Sequence, residues 1–248
     1  MQKVKLSGFV VVRNEEKNID RCLKSLDFCD EIIVVDQEST DNTIKLAKKY
    51  TDKIYSDKCW GYADPSRKLA ASKCTGDWII YLDADEEITG QLKKEILKAI
   101  KSDKFDAYKI HFNFYEGKYL KKSSADDYQI RLHRKNALNY TSKIHVCSVL
   151  KKNMRSKKLK NSINHYALTS FKQMILKLNR YAKIQAQNDK KYNQFPRKYL
   201  GIFYLPVGYF IYEYFFNKKM FDGWIGLKDS FNSGYYQILV LKNVWFKK

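Results

Sequence analysis

The chain is predicted to be an α/β protein built on a doubly wound, mixed sheet with a helical, basic C-terminal extension. Three observations predict it. Residues 8–12 (GFVVV), 32–35 (IIVV) and 78–82 (WIIYL) are short apolar runs, as expected of strands covered on both faces. Helically spaced apolar residues separate these runs, and strands alternating with helices imply right-handed crossovers. Charge is also unevenly divided: residues 1–100 hold 17 basic and 18 acidic residues, whereas the remaining 148 hold 30 and 9.

Each element is justified by its residues. The first strand comes after Lys3 and Lys5. It is too short for a signal-peptide core, and Arg13, Asn14, Glu15 and Glu16 come directly after it. Ile19, Cys22, Leu23 and Leu26 recur at helical spacing, with Asn14 a candidate N-cap. Beyond the second strand, Ile44, Ala47 and Tyr50 mark a helix that Thr40 or Asp41 can cap. A weaker strand is expected around Ile54 and Tyr55. After the strand at 78–82, Leu92, Ile96 and Ile100 mark a helix capped by Thr89. The segments AYKIHFNFY and YQIRLHRK within residues 107–150 read as mixed-sheet strands. Residues 151–160 carry six positive charges and read as an exposed loop. Residues 170–187 form an amphipathic pattern, with Phe171, Ile175, Leu178 and Ala182 on one face. The expected division is a first domain over 1–168 and a helical extension over 169–248. Within the first, about 1–100 would bind nucleotide and about 101–168 would face the acceptor.

The composition excludes several classes. Cys22, Cys29, Cys59, Cys74 and Cys147 form no C-x-x-C pair and no regular spacing, which fits neither a disulfide framework nor a zinc site. Reduced thiols in a cytosolic protein are the expectation. A triphosphate-wrapping sugar nucleotidyltransferase would need a glycine-rich loop after the first strand, and RNEEKN contains no glycine. The basic second part raises the alternative of a nucleic-acid-binding protein. No recognised motif accompanies it, and acidic clusters at a sheet edge repel phosphate unless a metal intervenes, so no nucleic acid is expected.

Ligands of doubly wound sheets bind beyond the C-terminal strand ends. Polar clusters stand there in sequence: Arg13 to Glu15, Asp36 to Asp41, and Asp83 to Glu86. In an extended segment Asp83 and Asp85 project to the same side, where a cation relieves their repulsion. Hard oxygen ligands favour Mg²⁺ or Mn²⁺, with substrate phosphates completing the shell. The other reading is an acidic helix N-terminus, which suits Glu86 and Glu87 better than Asp83.

The segments VVVRNEEKNIDRCLKSL, EIIVVDQESTDNT, SRKLAASKCTGDWIIYLDADEEI and YQIRLHR occur in order. Together they resemble family-2 glycosyltransferases of the GT-A fold, in particular the lipopolysaccharide core-biosynthesis β-glucosyltransferases. KIHV, HYA, KLNRYAKIQA and FDGWIGLKDSFNSGYYQ extend the resemblance over nearly the whole chain. It implies an inverting transfer of glucose from a UDP-sugar to a lipopolysaccharide-core or other membrane-linked glycan. Arg13, Asn14 and Glu15 would line the nucleotide pocket and Asp36 would bond the nucleobase. Arg67 would lie near the donor phosphates or sugar. Asp83 would contact ribose or sugar, and Asp85 would hold the metal. Arg131 would approach the diphosphate or an anionic acceptor. His145 and His165 fall on positions where the subgroup usually has histidine, with a partly buried structural histidine as the other reading. The chain departs from the subgroup in KKSSADD, where Gly and Trp are usual, and in Val146 after His145, where Glu is usual. Both departures lie on the acceptor side.

An inverting transfer needs a base opposite the leaving diphosphate. Between residues 104 and 188 the carboxylates are Asp106, Glu116, Asp126 and Asp127. Asp127, directly before YQIRL and at the subgroup's acidic position, is the candidate, and pairing with Arg131 or Arg134 is the competing role. The aromatic stretch from Tyr199 to Phe216 is flanked by basic residues and interrupted by Pro206, Gly208 and Glu213. It suits a peripheral helix on anionic lipid or a hairpin packed on the domain. The resulting expectation is a cytoplasmic protein at the inner face of the cytoplasmic membrane.

Overall fold

The computed structural model describes residues 4–124, 128–141, 149–166, 171–188 and 200–245. The chain divides into two compact units, Met1–Leu120 with Ala125–Ala167, and Lys121–Ser124 with Leu168–Lys248.

The first unit is a mixed sheet. Strands β1 (Leu6–Val12), β2 (Glu31–Asp36), β3 (Ile54–Ser56) and β4 (Trp78–Asp83) run parallel in the order β3-β2-β1-β4. The far side adds β5 (Glu86–Ile88), β6 (Ala107–Glu116), β7 (Tyr119–Leu120), β8 (Tyr128–Arg134) and β11 (Ser156–Tyr166), while β9 (Leu138–Asn139) and β10 (Val149–Leu150) form a separate ribbon. From β4 the sheet continues through antiparallel β8 to β6, then parallel β11, then antiparallel β5. Because β8 alone reverses between β4 and β6, the C-terminal ends of β1, β2, β4, β6 and β11 share one edge with the start of β8.

Alternation along the strands builds two cores. Leu6, Val10 and Val12 of β1 face α1 (Ile19–Ser25), α2 (Thr43–Ala47) and α4 (Gly90–Ala99). Phe9 and Val11 face α3 (Asp64–Lys73) through Ala70. Burial of both faces is why these strands read as unbroken apolar runs. Thr89 caps α4 as expected, its hydroxyl accepting from the Leu92 N–H at 3.2 Å.

The structure corrects several expectations. Asn14 does not cap α1. It adopts a φ of 55°, and the helix begins only after Asn18. Glu86 and Glu87 do not start a helix, because they form β5 against β11. The exposed loop expected over 151–160 ends at Arg155, and Ser156 opens β11. There Lys157 and Lys158 lie against the rings of Phe105 and Tyr128, at 5.6 and 4.0 Å, while Leu159 enters the core. The lysine ammonium groups lie over aromatic faces, so a run of charge conceals a strand.

His133 on β8 is fully buried, with Nδ1 2.8 Å from the Arg134 carbonyl and Nε2 2.7 Å from the Tyr140 hydroxyl. A neutral ring satisfies both, Nδ1–H donating and Nε2 accepting. Burial pushes its pKa down to about 4 from the usual 6.5. A depressed folded-state value means stability that is complete above pH 6.5 and is lost as pH falls through 4. Between pH 7 and 4, His133→Gln should lose about 3 kcal/mol less stability than the parent, at ~1.4 kcal/mol per pKa unit. Urea midpoints at the two pH values measure this, and parallel slopes would refute it.

The second unit is helical: α5 (Phe171–Asn188), α6 (Leu200–Ile211), a π-helical turn (Tyr212–Phe216), a short 3₁₀ turn (Lys219–Asp222) and α7 (Gly223–Trp245). Its core joins Ala182 of α5, Leu205 of α6 and Leu239 to Leu241 of α7. Close approach is set by glycine. A Cβ on Gly234 would stand 2.7 Å from the Pro206 carbonyl oxygen, and one on Gly226 would overlap that of Lys219. Among the described residues, no helix is long and apolar enough to cross a membrane.

Candidate active site

The three polar clusters meet at the shared strand edge. The loop after β1 is stitched to the loop after β2: Asn14 Oδ1 accepts from Thr40 N–H at 2.8 Å, Ser39 Oγ from Asn14 N–H at 3.0 Å, and Thr43 Oγ1 from Glu15 N–H at 2.7 Å. The left-handed backbone at Asn14 aims its amide across that gap, a conformation asparagine tolerates better than most residues. Arg13 is exposed beside it. Asp36 ends β2 and accepts from Ser39 N–H at 3.1 Å, which leaves the carboxylate half-buried with further acceptor capacity. Behind it, buried Gln37 donates to the Tyr62 carbonyl and to Ser66 Oγ, and Ser66 donates to Asp57. These bonds tie the loop before α3 to the end of β2.

A charged knot lies under the end of β4. Asp83 Oδ1 accepts from Arg67 at 2.6 Å and Oδ2 from Arg131 at 3.1 Å. Arg67 is also held by Asp64, at 2.8 Å. Arg131, 3% exposed, donates to Glu86 at 2.7 Å and lies between the rings of Tyr81 and Phe112, at 4.8 and 5.0 Å. Its Nε and Nη1 are buried and find no partner among the described residues. Burial opposes ionisation of Asp83, but the two guanidinium groups overcome it and hold the carboxyl well below the usual range. Glu86 has the opposite outcome. Burial pushes it up to about 7 despite Arg131. Its second oxygen accepts from Asp83 N–H at 2.9 Å.

Asp85 stands apart from this knot. Its Oδ2 is 3.1 Å from Nε2 of His165 on β11, and both side chains are about a quarter exposed, at 27% and 24%. Burial disfavours the imidazolium, but Asp85 outweighs it and raises the His165 pKa. Phe114 backs the ring at 4.9 Å. Of the predicted residues, the structure therefore gathers Arg13, Asn14, Glu15 and Asp36 at one group of loops, Arg67, Asp83 and Arg131 in one knot, and Asp85 with His165 in a pair. Asp127 and His145 lie outside the described residues. Glu86, Asp64 and Tyr81 complete the knot without having been singled out for it. The available signal was the acid-rich segment LDADEE, in which Glu86 is the one carboxylate buried completely.

A family model, Glycosyl transferase family 2, matches residues 7–177. The chain belongs to this family. It is a glycosyltransferase. An uncharacterized glycosyltransferase of Rickettsia typhi is 32% identical over 239 residues, covering 89% of this chain and 81% of the relative. The lipopolysaccharide core biosynthesis glycosyltransferase LpsC of Rhizobium meliloti is 28% identical over 255 residues, covering 98% and 93%. Among solved structures, S. aureus TarS in complex with UDP-GlcNAc superposes with a TM-score of 0.53 at 15% identity, over 93% of this chain and 90% of that one. The mannosyltransferase PcManGT of Pyrobaculum calidifontis, in complex with GDP-Man and Mn²⁺, gives 0.53 at 12% identity, over 100% and 89%. The glycosyltransferase thus has the GT-A fold expected from the sequence, a mixed sheet flanked by helices.

Proposed function

We propose that this glycosyltransferase moves glucose from UDP-glucose, with inversion, onto a lipopolysaccharide-core or other membrane-linked glycan at the cytoplasmic face of an anionic membrane. The observation that carries the reading is the common strand edge, where Asp36 and Asp83 end the two strands that flank β1. The likeness to LpsC supports the acceptor class. In this reading Arg13, Asn14 and Glu15 border the nucleotide. Asp36, an acceptor-only carboxylate, takes the uracil imide N–H. Asp83, fixed by Arg67 and Arg131, meets ribose or sugar, and Arg131 acts through Asp83 rather than on the donor.

Asp85 and His165 offer one oxygen and one nitrogen 3.1 Å apart; the carboxylate suits Mg²⁺ or Mn²⁺, and the imidazole nitrogen favours Mn²⁺ of the two, with diphosphate oxygens and water to complete the shell. Asp83 has both oxygens committed to arginine, so Asp85 is the stronger ligand candidate of the two. Such an ion would offset the charge of the departing diphosphate. Asp127, the residue before Tyr128 in sequence, takes the proton from the acceptor hydroxyl. That oxygen bonds to the anomeric carbon as the bond to the diphosphate breaks, and UDP leaves with the electron pair.

A hydrolysis screen of nucleotide sugars with Mg²⁺ or Mn²⁺ and no acceptor tests the donor. Calorimetry should show that Asp36→Ala weakens UDP binding roughly tenfold, about 1.4 kcal/mol. Equal affinity of the parent for all nucleoside diphosphates would remove the base-reading role.

A further inference from the structure

We propose that the tip of the α6–α7 hairpin is an interfacial anchor that inserts aromatic side chains into an anionic lipid surface. This rests on the membrane-linked acceptor proposed above and specifies how the protein would reach it. Between residues 212 and 224 the hairpin exposes Tyr212, Phe215, Phe216, Met220, Phe221 and Trp224, with Phe216 at 71% and Trp224 at 77% exposure. Isolated exposed apolar residues are ordinary, but six within thirteen positions form a patch that water disfavours. The uncharged side chains Tyr204, Val207 and Ile211 continue it along α6, all exposed at helical spacing.

The charges around the tip indicate which occupant fits. Its two carboxylates are both turned to internal use. Glu213 pairs with Lys219 at 2.6 Å, and buried Asp222 accepts from the N–H groups of Lys122 and Ser123 at 2.5 and 3.2 Å. Lys218 stands exposed among the rings. Over residues 168–248 the sequence holds 14 basic and 4 acidic residues. A second copy of so basic a segment would be repelled, whereas acidic headgroups would be attracted. Phe, Tyr and Trp, rather than a long aliphatic span, suit the boundary between headgroups and acyl chains. Gly234 lets α7 pack closely against Pro206 of α6, and Gly226 lets it pack against Lys219 in the turn, so the tip is packed onto the start of α7.

The test uses the full chain and vesicles of phosphatidylcholine with or without phosphatidylglycerol. The parent should float strongly with the acidic vesicles, keep part of that binding at high salt, and bind neutral ones only weakly. The triple variant Phe216→Ser, Phe221→Ser, Trp224→Ser should lose roughly tenfold or more of the binding. Its melting temperature and UDP-glucose hydrolysis should match the parent's. Undiminished flotation of the variant would overturn the anchor, as would parent binding that disregards lipid charge. A parent dimer that the variant dissociates would make the patch a subunit interface instead. Loss of hydrolysis in the parent, with flotation intact, would count against the donor reading and leave the anchor standing.

Discussion

Arg131→Met is expected to destabilise the protein by about 3–5 kcal/mol, the usual cost of removing one partner from a buried ion pair. Among the described residues, Arg131 is the one cation that touches both Asp83 and Glu86. Methionine fills the slot between Tyr81 and Phe112 with an apolar chain, so the effect isolates lost charge from lost volume. The variant leaves Glu86, buried to 1% exposure, with no guanidinium beside it. Its pKa, already about 7, would rise further, and the variant should therefore be weakest above neutral pH. The sign is set by burial: a raised carboxyl favours the folded protein only while it stays protonated. Adding Glu86→Gln to Arg131→Met should recover a substantial part of the loss, because the orphaned charge is then gone. Urea denaturation of both variants decides the matter. A single-variant loss under about 1 kcal/mol would mean that the knot contributes little to folding.

Asp85→Asn is expected to leave the fold intact and to lower transfer by about 10²–10³-fold or more, the scale for losing one stabiliser of developing charge. Asp85 is partly exposed and bonds through its side chain to His165, so its amide should cost little stability. A separate readout is Mn²⁺ affinity in the presence of UDP, measured by electron paramagnetic resonance. It should fall in Asp85→Asn and also in His165→Gln, while Asp83→Asn should instead show its defect in melting temperature. Full activity of the parent in EDTA would remove the metal from the mechanism.

Legibility in the sequence tracked side-chain size and charge. β1, β2 and β4 were readable because burial on both faces demands unbroken apolar runs. α3 was not, since its buried positions are Ser66 and Ala70, too small to mark a helical stripe. β11 was hidden by its lysines, and β5 by glutamates that ordinarily signal a helix start. The clusters at the strand ends were legible as clusters. Their pairings were not: Arg67 and Arg131 reach Asp83 from 16 and 48 residues away, and no local pattern carries such a distance. The partnership of Asp85 with His165 spans 80 residues and depends on β11 running beside β5.

The position of β8 makes the first hundred residues inseparable from the strand that closes their sheet. β4 would become a bare edge if the chain stopped at residue 100, with Trp78 and Ile80 stripped of the backbone partners that Arg134 and Leu132 provide. Glu86 would at the same moment lose Arg131. A fragment holding every nucleotide-binding candidate before Arg131 would therefore be prone to aggregate through that edge rather than bind donor. Swapping the later part of the sheet between relatives would have to cut after Arg134, not at residue 100, for β4 to keep its partner.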